Sequence, residues 1–117
     1  MSLRDDVNEL NRMILQGEIL DAFDKFYAED VVMQEDSDEP RRGKAANREY
    51  EEQFVASLEQ FHDAEIRAVA LDEENGVAMI EWFMDVTVAG QGRTQMEQIA
   101  VQRWEDGQVV HERFYHA

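Results

Sequence analysis

Residues 80–116 read IEWFMDVTVAGQGRTQMEQIAVQRWEDGQVVHERFYH, and apolar and polar side chains alternate through most of this stretch. A period of two residues is typical of strands that bury one face. The alternation is interrupted by AGQGR at 89–93 and by EDG at 105–107, where Asp-Gly is a strong hairpin signal. The stretch therefore predicts three strands joined by hairpins, and the turn DEENG at 72–76 joins them to a further strand around residues 66–70.

The preceding part of the chain has helical periodicity instead. Apolar residues spaced three or four apart predict helices over residues 4–15, 18–28 and 44–61, with a short strand at 31–33. A polar loop at 35–43 contains the only proline. Because the helices precede most of the strands, we predict an α+β fold with two N-terminal helices, a long helix and a mostly antiparallel sheet. A curved sheet wrapped around the long helix leaves a cone-shaped pocket, where a ligand is expected.

Length and composition fit one acidic domain that spans residues 1–117. A chain of 117 residues can bury one continuous core but is too short for two. The formal net charge of -16 opposes binding to nucleic acids and to anionic membrane surfaces. The absence of cysteine excludes disulfides, thiolate metal sites and a cysteine nucleophile. With no signal-peptide pattern and no apolar run near the ~20 residues of a membrane helix, we expect a cytoplasmic protein.

Two motifs resemble a known family. YAEDVVMQEDSDEPRRGKAA at 27–46 resembles the ketosteroid isomerase and SnoaL-like polyketide cyclase branch of the nuclear-transport-factor-2-like superfamily, where the run is FADDxxxEDP…EPRxGxxAI. RWEDGQVVHERFYHA at 103–117 resembles the hairpin F-x-x-G-K-V-V and the last strand of the same family. The predicted order of elements agrees along nearly the whole chain. The resemblance implies one SnoaL-like domain with a cystatin-like roll.

The resemblance also implies a position for an acid or base. In the family's isomerases, an aspartate just after the first strand is the general base, and Glu35 falls at that position, with Asp36 as the alternative. A buried carboxyl has a raised pKa, which suits proton transfer beside a carbonyl. The family's oxyanion hole uses a tyrosine and a protonated aspartate, whereas this chain has Leu10 and Ala100 near those positions. Because one such donor is worth about 2.7–4 kcal/mol, we do not expect steroid isomerisation.

Strand parity and the resemblance together indicate which side chains face the pocket. Tyr50 matches an aromatic residue of the family's pocket, and His116 shares one face of the last strand with Val110. We predict catalytic roles for Glu35, Tyr50 and His116. Substrate contacts are predicted for Phe54, Met84, Gln98, Gln102, Trp104, Glu112 and Phe114. A register shift of one residue would reverse each strand assignment.

Histidines do not form a metal motif in this sequence. His111, Glu112 and His116 have the spacing H-E-x-x-x-H, which differs from the H-E-x-x-H of a helical zinc site. Positions 111 and 116 of a strand point to opposite faces. We therefore expect no metal ion, and no motif implies an organic cofactor.

The charged residues near the predicted loop also have a structural interpretation. Glu35 and Asp36 lie in an acidic stretch, so a solvent-exposed carboxylate is the alternative to a catalytic one. The basic residues at 41–48 are expected to neutralise nearby carboxylates, with Arg48 and Glu52 paired one helical turn apart.

Two functions of different classes fit these patterns. The first is a protein that binds a small apolar molecule and performs acid/base chemistry of the isomerase, cyclase or hydrolase type on a carbonyl-like group. The second is a non-catalytic ligand-binding or association module. In either case we predict a homodimer through the outer face of the sheet, around Ile99 and Val101, because an apolar sheet face requires a cover.

Overall fold

A computed structural model describes residues 2–117 as three helices and a six-stranded sheet. The elements are α1 (Leu3–Leu15), α2 (Ile19–Phe26), β1 (Tyr27–Glu35), β2 (Arg41–Arg42), α3 (Lys44–Ser57), β3 (Leu58–Asp72), β4 (Val77–Val88), β5 (Gly92–Glu105) and β6 (Gln108–His116). The strand order is β2-β1-β6-β5-β4-β3, in which β1 and β6 are parallel and all other neighbours are antiparallel. The predicted α+β fold with a mostly antiparallel sheet is confirmed.

A capping box at the start of α1 and a glycine after its end define the bounds of this helix. Ser2 and Asp5 form a capping box, in which the Ser2 hydroxyl accepts a hydrogen bond from the Asp5 amide at 3.1 Å. The helix ends before Gly17, whose φ of 81° is the left-handed conformation that glycine adopts without strain. Between these ends, Val7 and Leu10 are fully buried. Within residues 2–117, none of the helices combines the length and the apolarity needed to cross a membrane.

Several predicted boundaries differ from the structure. The second helix ends at Phe26 rather than at residue 28, and the strand predicted around residues 66–70 extends from Leu58 to Asp72. The long helix ends at Ser57 rather than at residue 61, and Leu58 already pairs with Val88 in the sheet. Leu58 and Phe61 continue the helical spacing, but pairing with β4 gives this segment its backbone hydrogen bonds and therefore decides its conformation. The first strand is longer than predicted, because β1 pairs with β6 at Tyr27 and, after a register shift, again from Val32 to Glu35.

The hairpin between β5 and β6 shows that the predicted inward direction of Val110 is wrong. Parity placed Val110 on the inner face, but Val109 is fully buried and Val110 is partly exposed. The pairing register shifts between Arg103 and Trp104, so that Trp104 lies opposite Val109 while Arg103 lies opposite His111. A bulge of this kind changes the parity on one side of it. Glu112, Phe114 and His116, which follow the bulge, line the cavity as predicted.

Asn47 ties α3 to the first two strands. The residue is fully buried, and its Nδ2 lies 2.8 Å from the carbonyl oxygen of Gly43, 3.0 Å from that of Arg41 and 3.4 Å from that of Val31. Its Oδ1 accepts a hydrogen bond from Nε of Arg41 at 3.2 Å. Asn47 therefore holds both the start of the helix and the Arg41 side chain in place.

Candidate functional site

A cavity of about 370 Å³ lies between the three helices and the inner face of the sheet. Its apolar lining comes from Leu10, Ile14, Ile19, Ala22, Phe23, Phe54, Trp82, Met84, Val88, Met96 and Phe114. Its polar lining comes from Tyr27, Glu35, Tyr50, Glu51, Ser57, Gln91, Gln98, Gln102, Glu112 and His116. A mostly apolar cavity with a few polar groups is typical of a site for a small molecule.

A buried carboxyl, that of Glu112 on β6, is the centre of a hydrogen-bond network in the cavity wall. Only 2% of the residue is exposed. The Tyr27 hydroxyl donates to Oε1 at 2.5 Å, and Nε2 of Gln102 donates to Oε2 at 2.7 Å. Oε1 of Gln102 accepts a hydrogen bond from Nε1 of Trp104 at 3.0 Å. Gln102 and Glu112 are direct partners across β5 and β6, which places them on the same face of the sheet.

Burial raises the pKa of Glu112 to about 7, because the charged form loses its hydration inside the protein. The hydrogen bonds from Tyr27 and Gln102 lower this pKa, since they stabilise the carboxylate, and the negative charge of Glu35 raises it. Burial and the neighbouring Glu112 also raise the pKa of Tyr27 well above its usual value, so that its phenol stays a neutral donor. Near neutral pH, Glu112 is therefore able either to accept or to release a proton.

Glu51 on α3 is a second carboxyl in the same cavity. Burial is the main cause that raises its pKa to about 7, and the charges of Glu112 and Glu35 add to it, while Arg41 acts in the opposite direction. Unlike that of Glu112, the pKa of Glu51 has no contribution from a hydrogen bond. Two interacting carboxyls with similar pKa values titrate as a pair, so at neutral pH the pair holds about one proton.

Glu35, Tyr50 and His116 line the cavity and form a partly exposed polar group with Arg41, which lies beside them. Arg41 donates to Glu35 through an Nη2–Oε2 contact of 3.1 Å, and its guanidinium carbon lies 3.6 Å from the ring centre of Tyr50. Nε2 of His116 lies 3.6 Å from Oε1 of Glu35. We call these four residues the mouth group. The fold thus brings together the three residues for which we predicted catalytic roles.

Asp36, the alternative to Glu35, binds the last strand instead of lining the cavity. Its Oδ1 accepts a hydrogen bond from the His116 amide at 2.8 Å, and its Oδ2 lies 2.9 Å from Nδ1 of the same histidine. The bond from the backbone amide, followed by the side-chain bond, lowers the pKa of Asp36. Of the two carboxylates, Glu35 is the one that lines the cavity.

Six of the seven predicted substrate-contacting residues line the cavity, namely Phe54, Met84, Gln98, Gln102, Glu112 and Phe114. Trp104 does not. Its ring packs edge-on against Phe26, with 5.7 Å between the ring centres, inside the hydrophobic core. Parity correctly directs Trp104 inward, but its position near the end of β5 places it over α2 rather than over the cavity.

Sequence reasoning missed Tyr27 and Glu51. Tyr27 lies at the junction of α2 and β1, and its partner Glu112 is 85 positions away, so no local pattern joins them. Glu51, in contrast, could have been identified from the helical spacing of the residues around it. It follows Asn47 by four positions and precedes Phe54 by three, which places all three residues on one face of a helix.

Two of the four basic residues at 41–48 pair with carboxylates as predicted, namely Arg41 and Arg48, whereas Nζ of Lys44 donates to the backbone carbonyl of Asp24. Arg48 pairs with Glu52 and also with Asp24, where Nε and Oδ1 are 2.9 Å apart. Arg41 pairs with Glu35 in the mouth group. Among residues 2–117, no cluster of three or more histidine, aspartate or glutamate side chains is arranged to hold a metal ion.

Comparison with known proteins identifies a family profile that covers almost the whole chain. The profile of the SnoaL-like domain matches residues 1–116. No functionally curated protein matches the sequence.

Solved structures share the fold at low sequence identity. A protein from Mesorhizobium loti, provisionally described as a SnoaL-like polyketide cyclase, is 21% identical, with a TM-score of 0.86 over 98% of this chain and 99% of that one. An NTF-2 like protein of unknown function from Burkholderia xenovorans LB400 is 18% identical, with a TM-score of 0.74 over 98% of this chain and 82% of that one. SalBIII, an epoxide hydrolase/cyclase-like enzyme in pyran ring formation in polyether salinomycin, is 16% identical, with a TM-score of 0.79 over 98% of this chain and 90% of that one. At these identities, the likeness shows the fold alone.

Proposed function

The chain belongs to the SnoaL-like family, and we propose that it is an enzyme of the isomerase or cyclase type that moves protons on a small, mostly apolar substrate. The family resemblance predicted from the motifs at 27–46 and 103–117 is confirmed by the match over residues 1–116. One observation carries the proposal: Glu51 and Glu112 share an apolar cavity and both have a pKa of about 7. A pair that holds one proton supplies an acid and a base together.

The hydrogen bonds indicate which of the two carboxyls acts as the base and which acts as the acid. Glu112 accepts from Tyr27 and Gln102, which favours its carboxylate form and suits it to act as the base. Glu51 lacks such support and therefore acts as the acid. In the proposed reaction, Glu51 protonates the oxygen of a carbonyl-like group while Glu112 takes a proton from the adjacent carbon. Return of the Glu112 proton to the γ carbon of an unsaturated substrate, while the enol oxygen gives its proton back to Glu51, completes an isomerisation. In a cyclisation, the enol carbon instead attacks a second carbonyl carbon of the substrate. The C=O π bond of that group breaks, its oxygen takes the proton from Glu112, and the enol proton returns to Glu51.

The mouth group supplies the second set of polar contacts. We propose that Tyr50 and His116 bind the polar end of the substrate and that Gln98 orients it, since all three line the cavity. Glu35, the base expected from the family resemblance, is paired with Arg41. Its proposed role is that of a fixed negative charge that raises the pKa of both Glu51 and Glu112.

Proton exchange with solvent tests this function without knowledge of the product. Neutral ketones and lactones of a size that fits about 370 Å³ are incubated with the protein in D₂O, and deuterium uptake beside the carbonyl is followed by NMR. Protein-dependent uptake for at least one compound is the expected result. Epoxides in the same panel test the hydrolase type of chemistry by product analysis. A panel of compounds that bind but show neither exchange nor ring opening would contradict the proposed enzyme.

The cavity should discriminate against anionic ligands. Glu35, Glu51 and Glu112 all line the cavity, so a bound anion would lose hydration and meet carboxylates. At pH 8, 4-phenyl-2-butanone is expected to bind at least about tenfold more tightly than 3-phenylpropionate, a near-isostere, which corresponds to about 1.4 kcal/mol. Isothermal titration calorimetry measures both affinities.

Two neighbouring substitutions locate this discrimination in the cavity. Glu51→Gln removes a charge from the lining and should narrow the difference between the two ligands. Glu52→Gln removes the same charge from an exposed position on the same helix and should leave the difference unchanged. Equal affinity of the wild type for ketone and carboxylate would contradict the expected selectivity.

A homodimer through the outer sheet face is our second proposal, and it is the central property of the alternative association module. Met79, Ile99 and Tyr115 lie on this face and are 47%, 44% and 45% exposed. Ile99 lies directly opposite Tyr115, and Met79 lies opposite the partly exposed Val101, so the apolar side chains are contiguous. A second copy of the chain presents the same patch and covers it symmetrically.

Sedimentation equilibrium at micromolar concentration tests the dimer. The wild type is expected to sediment as a dimer, and Ile99→Glu as a folded monomer, because a charge would be buried in the interface. Leu15→Glu, at an exposed apolar position of α1, is the matched control and should remain dimeric. A monomeric wild type would overturn this proposal.

A further inference from the structure

The hydrogen-bond chain that ends on Glu112 has a fixed polarity, and its origin lies outside the cavity. The indole of Trp104 has one N–H and no acceptor, so it can only donate. Its Nε1 lies 3.0 Å from Oε1 of Gln102, which therefore must be the carbonyl end of the amide. The NH₂ end then faces Glu112, 2.7 Å from Oε2.

We propose that Trp104 is a positioning residue for acid/base chemistry: it fixes the Gln102 amide in the orientation that donates to Glu112 and thereby keeps Glu112 the hydrogen-bond acceptor of the site. The reversed amide would place two donors against each other at Trp104. It would also present Oε1 of Gln102 to Glu112, an arrangement that only a protonated Glu112 can satisfy. The indole N–H therefore selects the amide orientation that stabilises the carboxylate.

The orientation of the Gln102 amide follows from the hydrogen bonds alone, and only its role in catalysis rests on the proposed function. If Glu112 is the base and Glu51 the acid, the asymmetry between them must have a structural source. Both line the same cavity, Glu112 fully buried and Glu51 partly so, and the charge of Glu35 raises the pKa of both. Hydrogen bonding distinguishes them, since it acts on Glu112 and not on Glu51. Trp104 maintains half of that hydrogen bonding through Gln102.

Other titratable groups near Glu112 come from two neighbouring elements. Tyr27 and Glu35 approach from β1, and Glu51 approaches from α3. Of these, Tyr27 donates to the other carboxyl oxygen, and its phenol stays neutral. A substitution at Trp104 leaves all three in place, so a change in the titration of Glu112 would report on the Gln102 amide.

Trp104→Phe is the direct test, because it keeps a ring against Phe26 and removes the N–H. The readout is the titration of the glutamate side-chain carboxyl carbons by ¹³C NMR, without any ligand. The amide of Gln102 becomes free to reverse, so the midpoint of Glu112 should rise by about one pH unit, which is the size expected for one charge-assisted hydrogen bond. An unchanged midpoint would overturn the proposal.

Phe26→Leu is the matched control. It loosens the same packing contact but leaves the indole N–H in place, and Phe26 does not line the cavity. The midpoint of Glu112 should then stay at its wild-type value. An equal rise in Phe26→Leu and Trp104→Phe would assign the effect to packing and overturn the role of the N–H.

A measurement on the wild type keeps the test independent of how well the variants fold. The indole Hε1 of Trp104 and the side-chain amide protons of Gln102 should change chemical shift with the midpoint of Glu112, since the three groups form one chain. Indole and amide signals that stay constant through that titration would refute the connection. These titrations need no substrate, so a failure to find turnover would contradict the proposed enzyme and leave this result unaffected.

Discussion

Glu112→Gln is expected to reduce protein-dependent deuterium exchange by about 10²–10⁴-fold, the range for loss of a general base. The substitution keeps the shape of the side chain. The new amide can accept from Gln102 and donate to the oxygen of Tyr27, so both contacts of residue 112 are kept and only the hydroxyl proton of Tyr27 loses its acceptor. The loss should therefore appear in turnover, with the fold and ligand binding retained.

Glu35→Gln distinguishes this assignment from the one suggested by the family resemblance. If Glu35 acts only as a fixed charge, its replacement should lower the pKa of Glu51 and Glu112, because the charge of Glu35 raises both, and activity should move to lower pH rather than disappear. A complete loss in Glu35→Gln combined with an active Glu112→Gln would reverse the two roles.

The pH dependence of stability gives an independent readout of Glu112. The folded-state pKa of about 7 exceeds the ordinary glutamate value of 4.5, so between these values the folded protein binds the proton that the unfolded chain has released. Stability therefore falls as the pH rises through this window and levels off above it. Glu112→Gln removes this contribution, so its free energy of unfolding should fall less than that of the wild type between pH 5 and pH 8.

Asn47→Ala is expected to lower the free energy of unfolding by about 2–4 kcal/mol, because buried carbonyl groups lose their donor. The amide binds the carbonyl oxygens of Gly43 and Arg41 from a position with no solvent access. It also accepts from Nε of Arg41, so the mouth group should become less ordered as well. Urea denaturation at constant m-value measures the loss.

Asn8→Ala is the matched control for this prediction. Asn8 is an exposed residue on α1, and its replacement should change stability by no more than about 0.5 kcal/mol. A loss at Asn47 as small as that at Asn8 would mean that the buried amide does not hold the start of α3.

The local periodicity of the sequence determined the order of helices and strands and the face on which many side chains lie. A period of two residues in the C-terminal part and a helical period before it predicted the α+β order, and parity placed Gln102, Glu112 and Phe114 on the cavity wall. The family resemblance placed Glu35 and Tyr50 in one site. These predictions depend on which face of an element a side chain occupies, and adjacent residues decide that.

The tertiary structure decided which of these side chains carry chemistry. Tyr27 and Glu112 meet across 85 positions, and Trp104 lies in the core because its ring packs against Phe26 of α2, not because its parity differs. The raised pKa values of Glu51 and Glu112 come mainly from burial, with charges on other elements adding to it. The physical reason is that the free energy of a charge depends on everything packed around it, whereas a sequence pattern records only its neighbours along the chain.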